Sequence, residues 1–107
     1  FPGGRGEPDA ASVVAAIEAC TGITCERTFG KPSRQMLDVI RDDLGAPLES
    51  AVMVGDRLMT DVAMGRRAGM DAALVLTGDS KAEDIQTVPA PERPTWVLER
   101  LSDLLPD

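Results

Sequence analysis

Two apolar runs limit what this chain can build. Residues 51-AVMV-54 and 72-AALVLTG-78 are continuous rather than alternating. A strand with one wetted face alternates apolar and polar residues, because successive side chains point to opposite faces. Unbroken runs of this length suit strands covered on both faces, as in a parallel sheet lined by helices. The flanking segments have helical spacing. Val13, Val14 and Ile17 form a stripe between Asp9, which suits an N-cap, and Gly22, which suits a C-terminal stop. Met36, Leu37, Ile40 and Leu44 form a second stripe, opening near Pro32-Ser33 and ending at Gly45. A third helix is predicted from about Thr60 to Ala68, closed by Gly69.

The remaining segments complete the order. Residues 1–8 are rich in Gly and Pro and read as loop, and ITCERTF at 23–29 reads as a short extended piece. Ser80 and Glu83 have the S-x-x-E spacing of a capping box that opens a helical turn. VPAPERP is a spacer, Trp96-Val97-Leu98 a short edge strand, and a terminal helix runs through Leu101, Leu104 and Leu105. Strands alternating with helices predict an α/β fold, a Rossmann-like parallel sheet of about three strands with flanking helices.

Composition removes several function classes. The 107 residues suit one unit, so 1–107 is expected to be a single α/β piece. A net charge of -7 argues against nucleic acid or an anionic membrane as partner, because both attract a basic surface. No apolar run approaches the ~20 residues of a membrane span. The opening FPGGRGEPD has no basic n-region and no apolar h-region, and Phe1 is not expected to be a biological start. The expected compartment is the cytoplasm. With aromatic residues at 3%, the core must come from Ala, Val, Leu, Ile and Met. Cys20 and Cys25 are the only cysteines and there is no histidine, which leaves too few ligands for zinc. Without a secretory signal the two read as reduced thiols.

The chemistry gathers where the first apolar run stops. In an open parallel sheet, ligands bind beyond the carboxyl ends of the strands. Gly55 and Asp56 occupy that position, the glycine leaving room for a ligand and the aspartate placing a hard oxygen at the edge. Asp61 follows five residues on, at the start of the next helix, and can point back to the same space. Two such carboxylates suit Mg²⁺, which takes oxygen ligands and often shares them with a substrate phosphate. A plain alternative exists: Asp56 or Thr60 would also serve as a helix cap, and Asp61 would favour the positive end of the helix dipole. Gly30-Lys31-Pro32 adds a second element, since a lysine on the loop before a helix can reach a phosphate as a point charge.

Lys31 followed by a helix, a strand and G-D-x4-D resembles the haloacid dehalogenase (HAD) superfamily of phosphohydrolases. The wording is similar to its C2-capped, p-nitrophenylphosphatase-like branch. The segments that carry the resemblance are VVAAIEACTG, FGKPSRQML, VMVGDRLMTD, GRRAGM, LVLTG and PTWVLERLSDLL. Together they span essentially all of the chain. The resemblance implies a Mg²⁺-dependent phosphatase for sugar phosphates or nucleotides that works through an aspartyl-phosphate. Lys31 would neutralise and orient the phosphate, and Gly55 would make room beside it. Asp56 would ligate Mg²⁺, and Asp61 would support the metal directly or through water.

The departures carry equal weight. Members of the family have an Asp-x-Asp motif near the N-terminus, whose first aspartate attacks phosphorus, and a Ser/Thr motif that binds phosphate. No Asp-x-Asp follows a strand-like run here, and neither Asp42-Asp43 nor Asp79 is placed as a nucleophile. The chain therefore resembles the C-terminal half of a HAD-type core, with the nucleophile-bearing part and the cap absent. Such a piece is expected to be inactive alone, and to self-associate or to bind the missing part of its core, because its first strand would lack a neighbour. Two other readings remain. One is a non-catalytic α/β module that keeps a metal or anion pocket for binding or oligomerisation. The other is a receiver-like acidic pocket, whose acids and lysine would come in the reverse order.

Overall fold

The computed structural model describes residues 8–105. Three parallel strands form one sheet in the order β1-β2-β3, with β1 Val52–Gly55, β2 Asp71–Val75 and β3 Trp96–Leu98. Val52 pairs with Asp71 and Gly55 with Leu74; Ala73 in turn pairs with Trp96. The helices are α1 Ala10–Thr21, α2 Arg34–Leu44 and α3 Ala63–Arg67. No helix among the described residues is long and apolar enough to cross a membrane.

Local chemistry explains where the first two helices begin and end. Asp9 accepts a hydrogen bond from the Ala11 amide, and Ser33 Oγ accepts one from the Met36 amide at 3.3 Å. Gly22 and Gly45 end α1 and α2 at φ values of 68° and 62°, a left-handed turn that only glycine adopts freely. Both caps match the sequence expectation.

The core is aliphatic and sulfur-rich, as the scarcity of aromatic residues requires. Leu58, Val62, Ala72, Leu74 and Val88 form one buried cluster, and Leu37, Met64 and Met70 form another. Met53 on β1 touches both clusters. In β2, Ala72, Ala73 and Leu74 are fully buried, so this strand has the covering on both faces that its unbroken apolar run implied.

The other apolar run behaves differently. β1 is expected to be buried on both faces, yet Val52 remains 46% exposed and the rest of the strand is half-buried. The cause is topological: among the described residues β1 pairs only with β2 and forms one edge of the sheet.

Residues 23–29, expected as a short extended piece, join no strand of the sheet. Three other expectations need correction. The third helix is α3 preceded by a wider π-helical turn, Leu58–Val62, in which the Val62 amide reaches back to the Arg57 carbonyl. Ser80 and Glu83 do not form a capping box. The turn there runs from Ala82 to Thr87, and the reciprocal bond is from the Lys81 amide to Asp84 Oδ2, at 2.8 Å. The terminal helix is a single 3-10 turn, Leu101–Leu104, with nothing buried to hold further turns. The loop expected at 1–8 lies, apart from Pro8, outside the described residues.

Candidate active site at the carboxyl edge of the sheet

The sequence-predicted residues meet where β1 ends. Gly55 closes the strand, Asp56 follows it, and the π-helical turn carries Asp61 back beneath the same point. Asp61 is 4% exposed and both of its oxygens are engaged. Oδ1 accepts a hydrogen bond from Lys31 Nζ, and Oδ2 accepts one from the Arg57 amide at 3.3 Å. The Asp61 side chain also fills the space where a side chain on Gly55 would stand: a Cβ there would fall 2.3 Å from Asp61 Cβ. The sequence reading left that space to a ligand; in the fold it belongs to Asp61.

Lys31 reaches this point from the loop before α2. Its ammonium pairs with Asp61 while the side chain stays 47% exposed, so its charge faces both the carboxylate and the solvent. The loop is fixed from behind by Ser33, a buried N-cap whose amide lies 3.4 Å from Met64 Sδ on α3. Lys31 and Asp61 are thirty residues apart in sequence, and folding brings them together.

Asp56 is held by a second loop that the sequence reading missed. Its Oδ2 accepts from the Asp79 amide at 2.9 Å, and its carbonyl accepts from the Ser80 amide at 3.0 Å. Ser80 Oγ accepts in turn from the Leu58 amide at 3.1 Å. Arg57 Nε stands 3.7 Å from Asp79 Oδ2 and closes the outer side. Among the described residues Asp56 Oδ1 takes no hydrogen bond. The sequence signal was present in 77-TGDS-80, a glycine among three polar residues just beyond β2, but the S-x-x-E spacing pointed to a local role instead.

Concavity alone points elsewhere. A cavity of about 420 Å³ opens between α2 and α3, lined by Ser33, Leu37, Leu48, Met64 and Arg67 among others. It includes none of Lys31, Asp56 and Asp61. The site is an edge defined by charged groups rather than an enclosed pocket.

The family follows from comparison. The sequence pattern of HAD-hydrolase-like proteins matches residues 28–104, and the chain belongs to this family. Within it, the relatives place the chain in the p-nitrophenylphosphatase-like branch. Mouse (Mus musculus) chronophin is 37% identical over 106 residues, covering 95% of this chain and 36% of the relative. The crystal structure of a 4-nitrophenylphosphatase from Thermotoga maritima matches with a TM-score of 0.78 at 44% identity, covering 91% of this chain and 36% of that one. A glycerol phosphate phosphatase from Mycobacterium tuberculosis, solved in complex with magnesium, also gives 0.78, at 33% identity over 94% of this chain and 30% of that one. The chain thus spans about a third of the length of these proteins.

Proposed function

We propose that this chain supplies the lysine and the metal-binding acid of a Mg²⁺-dependent phosphomonoester hydrolase. Its substrate is a small phosphorylated metabolite such as a sugar phosphate or a nucleotide, and the reaction proceeds through an aspartyl-phosphate. The attacking aspartate comes from a part of the protein outside this chain. The observation that carries this reading is the Lys31–Asp61 pair beside Asp56 at the carboxyl end of β1. Similarity to proteins named as phosphatases of 4-nitrophenyl and glycerol phosphates supports the substrate class.

The donor set fits Mg²⁺ as a shared ligand rather than a closed cage. Among the described residues no three His, Cys, Asp or Glu side chains gather closely enough to hold a metal by themselves. Mg²⁺ needs no such cage, since one or two carboxylates plus water and substrate phosphate satisfy it. Asp56 would hold it through Oδ1, the oxygen that takes no other bond among the described residues. Asp61, with both oxygens committed, supports the site by fixing Lys31 and the turn after β1. Charge also favours a cation: Lys31 and Arg57 face Asp56, Asp61 and Asp79, which leaves one negative charge in excess where a phosphate dianion must approach. When bound, Mg²⁺ offsets that charge and polarises the phosphoryl oxygens. Lys31 would add a second positive charge for the phosphate, a point charge held in place by Asp61 before the substrate arrives.

The test is hydrolysis of p-nitrophenyl phosphate by the full protein. Asp56→Asn and Lys31→Met are each expected to lower kcat by about 10²-fold or more, the usual loss when a charge-stabilising group is removed. Unchanged kcat and unchanged Mg²⁺ dependence in Asp56→Asn would rule out the metal role. Turnover by this chain alone would rule out an external nucleophile.

A further inference from the structure

The loop after β2 meets the segment around Asp56 at three points. The Asp79 amide donates to Asp56 Oδ2, the Ser80 amide donates to the Asp56 carbonyl, and Ser80 Oγ accepts from the Leu58 amide. We propose that Gly78–Ser80 is the device that positions Asp56 for its metal, with Ser80 as the positioning residue. The inference rests on the metal-binding reading of Asp56 given above.

A free aspartate has more freedom than a metal ligand can use. Its carboxylate turns about two side-chain bonds, and a ligand that must present one oxygen in one direction needs that freedom removed. The bond from the Asp79 amide does so by holding Oδ2, which leaves Oδ1 as the oxygen without a bond among the described residues. That amide is itself placed by the next residue. Ser80 grips the chain at two points just after the Asp56 side chain, its backbone amide holding the Asp56 carbonyl and its hydroxyl holding the Leu58 amide two residues on. Leu58 begins the π-helical turn that carries Asp61, so the buried Ser80 hydroxyl braces the start of that turn, two residues after Asp56, while the loop's own amides hold Asp56. Gly78 lets the loop come this close, because a Cβ there would fall 2.0 Å from Asp56 Oδ2. Removing the hydroxyl would also leave the amide of buried Leu58 without its acceptor.

The experiment is calorimetric titration of the full protein with Mg²⁺, paired with the Mg²⁺ dependence of kcat on p-nitrophenyl phosphate. Ser80→Ala removes the brace rather than a direct partner of Asp56, and is expected to weaken Mg²⁺ binding by about 10-fold, the low end of the range found when groups that orient metal ligands are lost. Saturating Mg²⁺ is expected to restore most of kcat. Ser80→Thr keeps the hydroxyl and is expected to stay close to the parent protein. Gly78→Ala gives an independent perturbation and is expected to weaken Mg²⁺ binding similarly by displacing Oδ2; circular dichroism confirms that each variant is folded. Should Ser80→Ala not fold, Gly78→Ala decides the matter. Mg²⁺ binding that survives in folded Ser80→Ala or Gly78→Ala, but is lost in Asp56→Asn, would overturn this inference and leave the metal reading intact. Binding unaffected by Asp56→Asn would remove the metal reading itself.

Discussion

At Gly55 a single methyl group decides whether Asp61 keeps its place. The Asp61 side chain occupies the volume that a Cβ on Gly55 would need, with Oδ2 only 2.5 Å from that position. Gly55→Ala must therefore move either the end of β1 or the carboxylate that pairs with Lys31. Overpacking of this kind destabilises by roughly 1–3 kcal/mol. We expect Gly55→Ala to lower the urea midpoint of the full protein accordingly and to lose Mg²⁺-dependent turnover; a variant with parental stability and kinetics would show that the site tolerates the displacement. The sequence made the residues of this cluster visible, because glycine, aspartate and lysine at those positions have few ordinary uses together. It did not show their commitments. That Asp61 bonds Lys31 and Arg57, while Asp56 bonds the loop after β2, depends on which segments fold next to each other. No local spacing encodes that.

Among the elements, α3 is short and relies on its neighbours. Its last turn is tied to the 3-10 turn Ala90–Glu92 by Arg67 Nε and Glu92 Oε1, 2.7 Å apart. The hydrogen bond from Arg67 holds the Glu92 carboxyl below the usual glutamate range, against the opposing effect of desolvation. A carboxyl whose folded value is depressed stabilises the fold above its unfolded value and loses that contribution as pH falls through the folded one. The tie should thus be complete at neutral pH and weaken below about pH 4.3, the ordinary glutamate value. Thermal unfolding across pH 3–7 checks this: Glu92→Gln is expected to lower the midpoint at pH 7 and to converge with the parent protein in acid. A constant gap across that range would contradict it.

Some elements were legible in the sequence because their signals are local. Caps at Asp9, Ser33, Gly22 and Gly45 depend on bonds within a few residues, and the sequence displays them fully. Ser80 misled because its hydroxyl had two possible amide partners. The local one fitted a familiar spacing, and the one that won, Leu58, lies 22 residues away.

For the whole molecule, among the described residues the sheet is unpaired at its β1 edge, and α1 has no buried residue. α1 exposes Val13 and Ile17, α2 exposes Val39, and β1 exposes Val52. The radius of gyration, 15.9 Å, exceeds the about 13 Å of a compact chain of roughly 100 residues. A strand edge with unpaired backbone groups and apolar neighbours templates association. We expect the isolated chain to sediment at tens of micromolar as a species heavier than the 11.3 kDa monomer. Addition of the remainder of its core should compete with that association, whereas a monodisperse monomer would contradict the expectation. The sequence implied this edge through the motif it lacks, but not which residues would remain uncovered.

The opposite edge carries its own reporter. Trp96 is the only tryptophan in a chain without tyrosine, and on β3 it is 48% exposed, two strand spacings or about 10 Å from β1. Its emission therefore registers the wetting of one known edge, with no competing fluorophore to subtract. A partner that joins at β1 leaves the emission maximum where it stands; one that covers β3 shifts it to the blue and shields it from iodide. The fold thus labels one side of itself, and a fluorimeter can tell by which side the molecule is held.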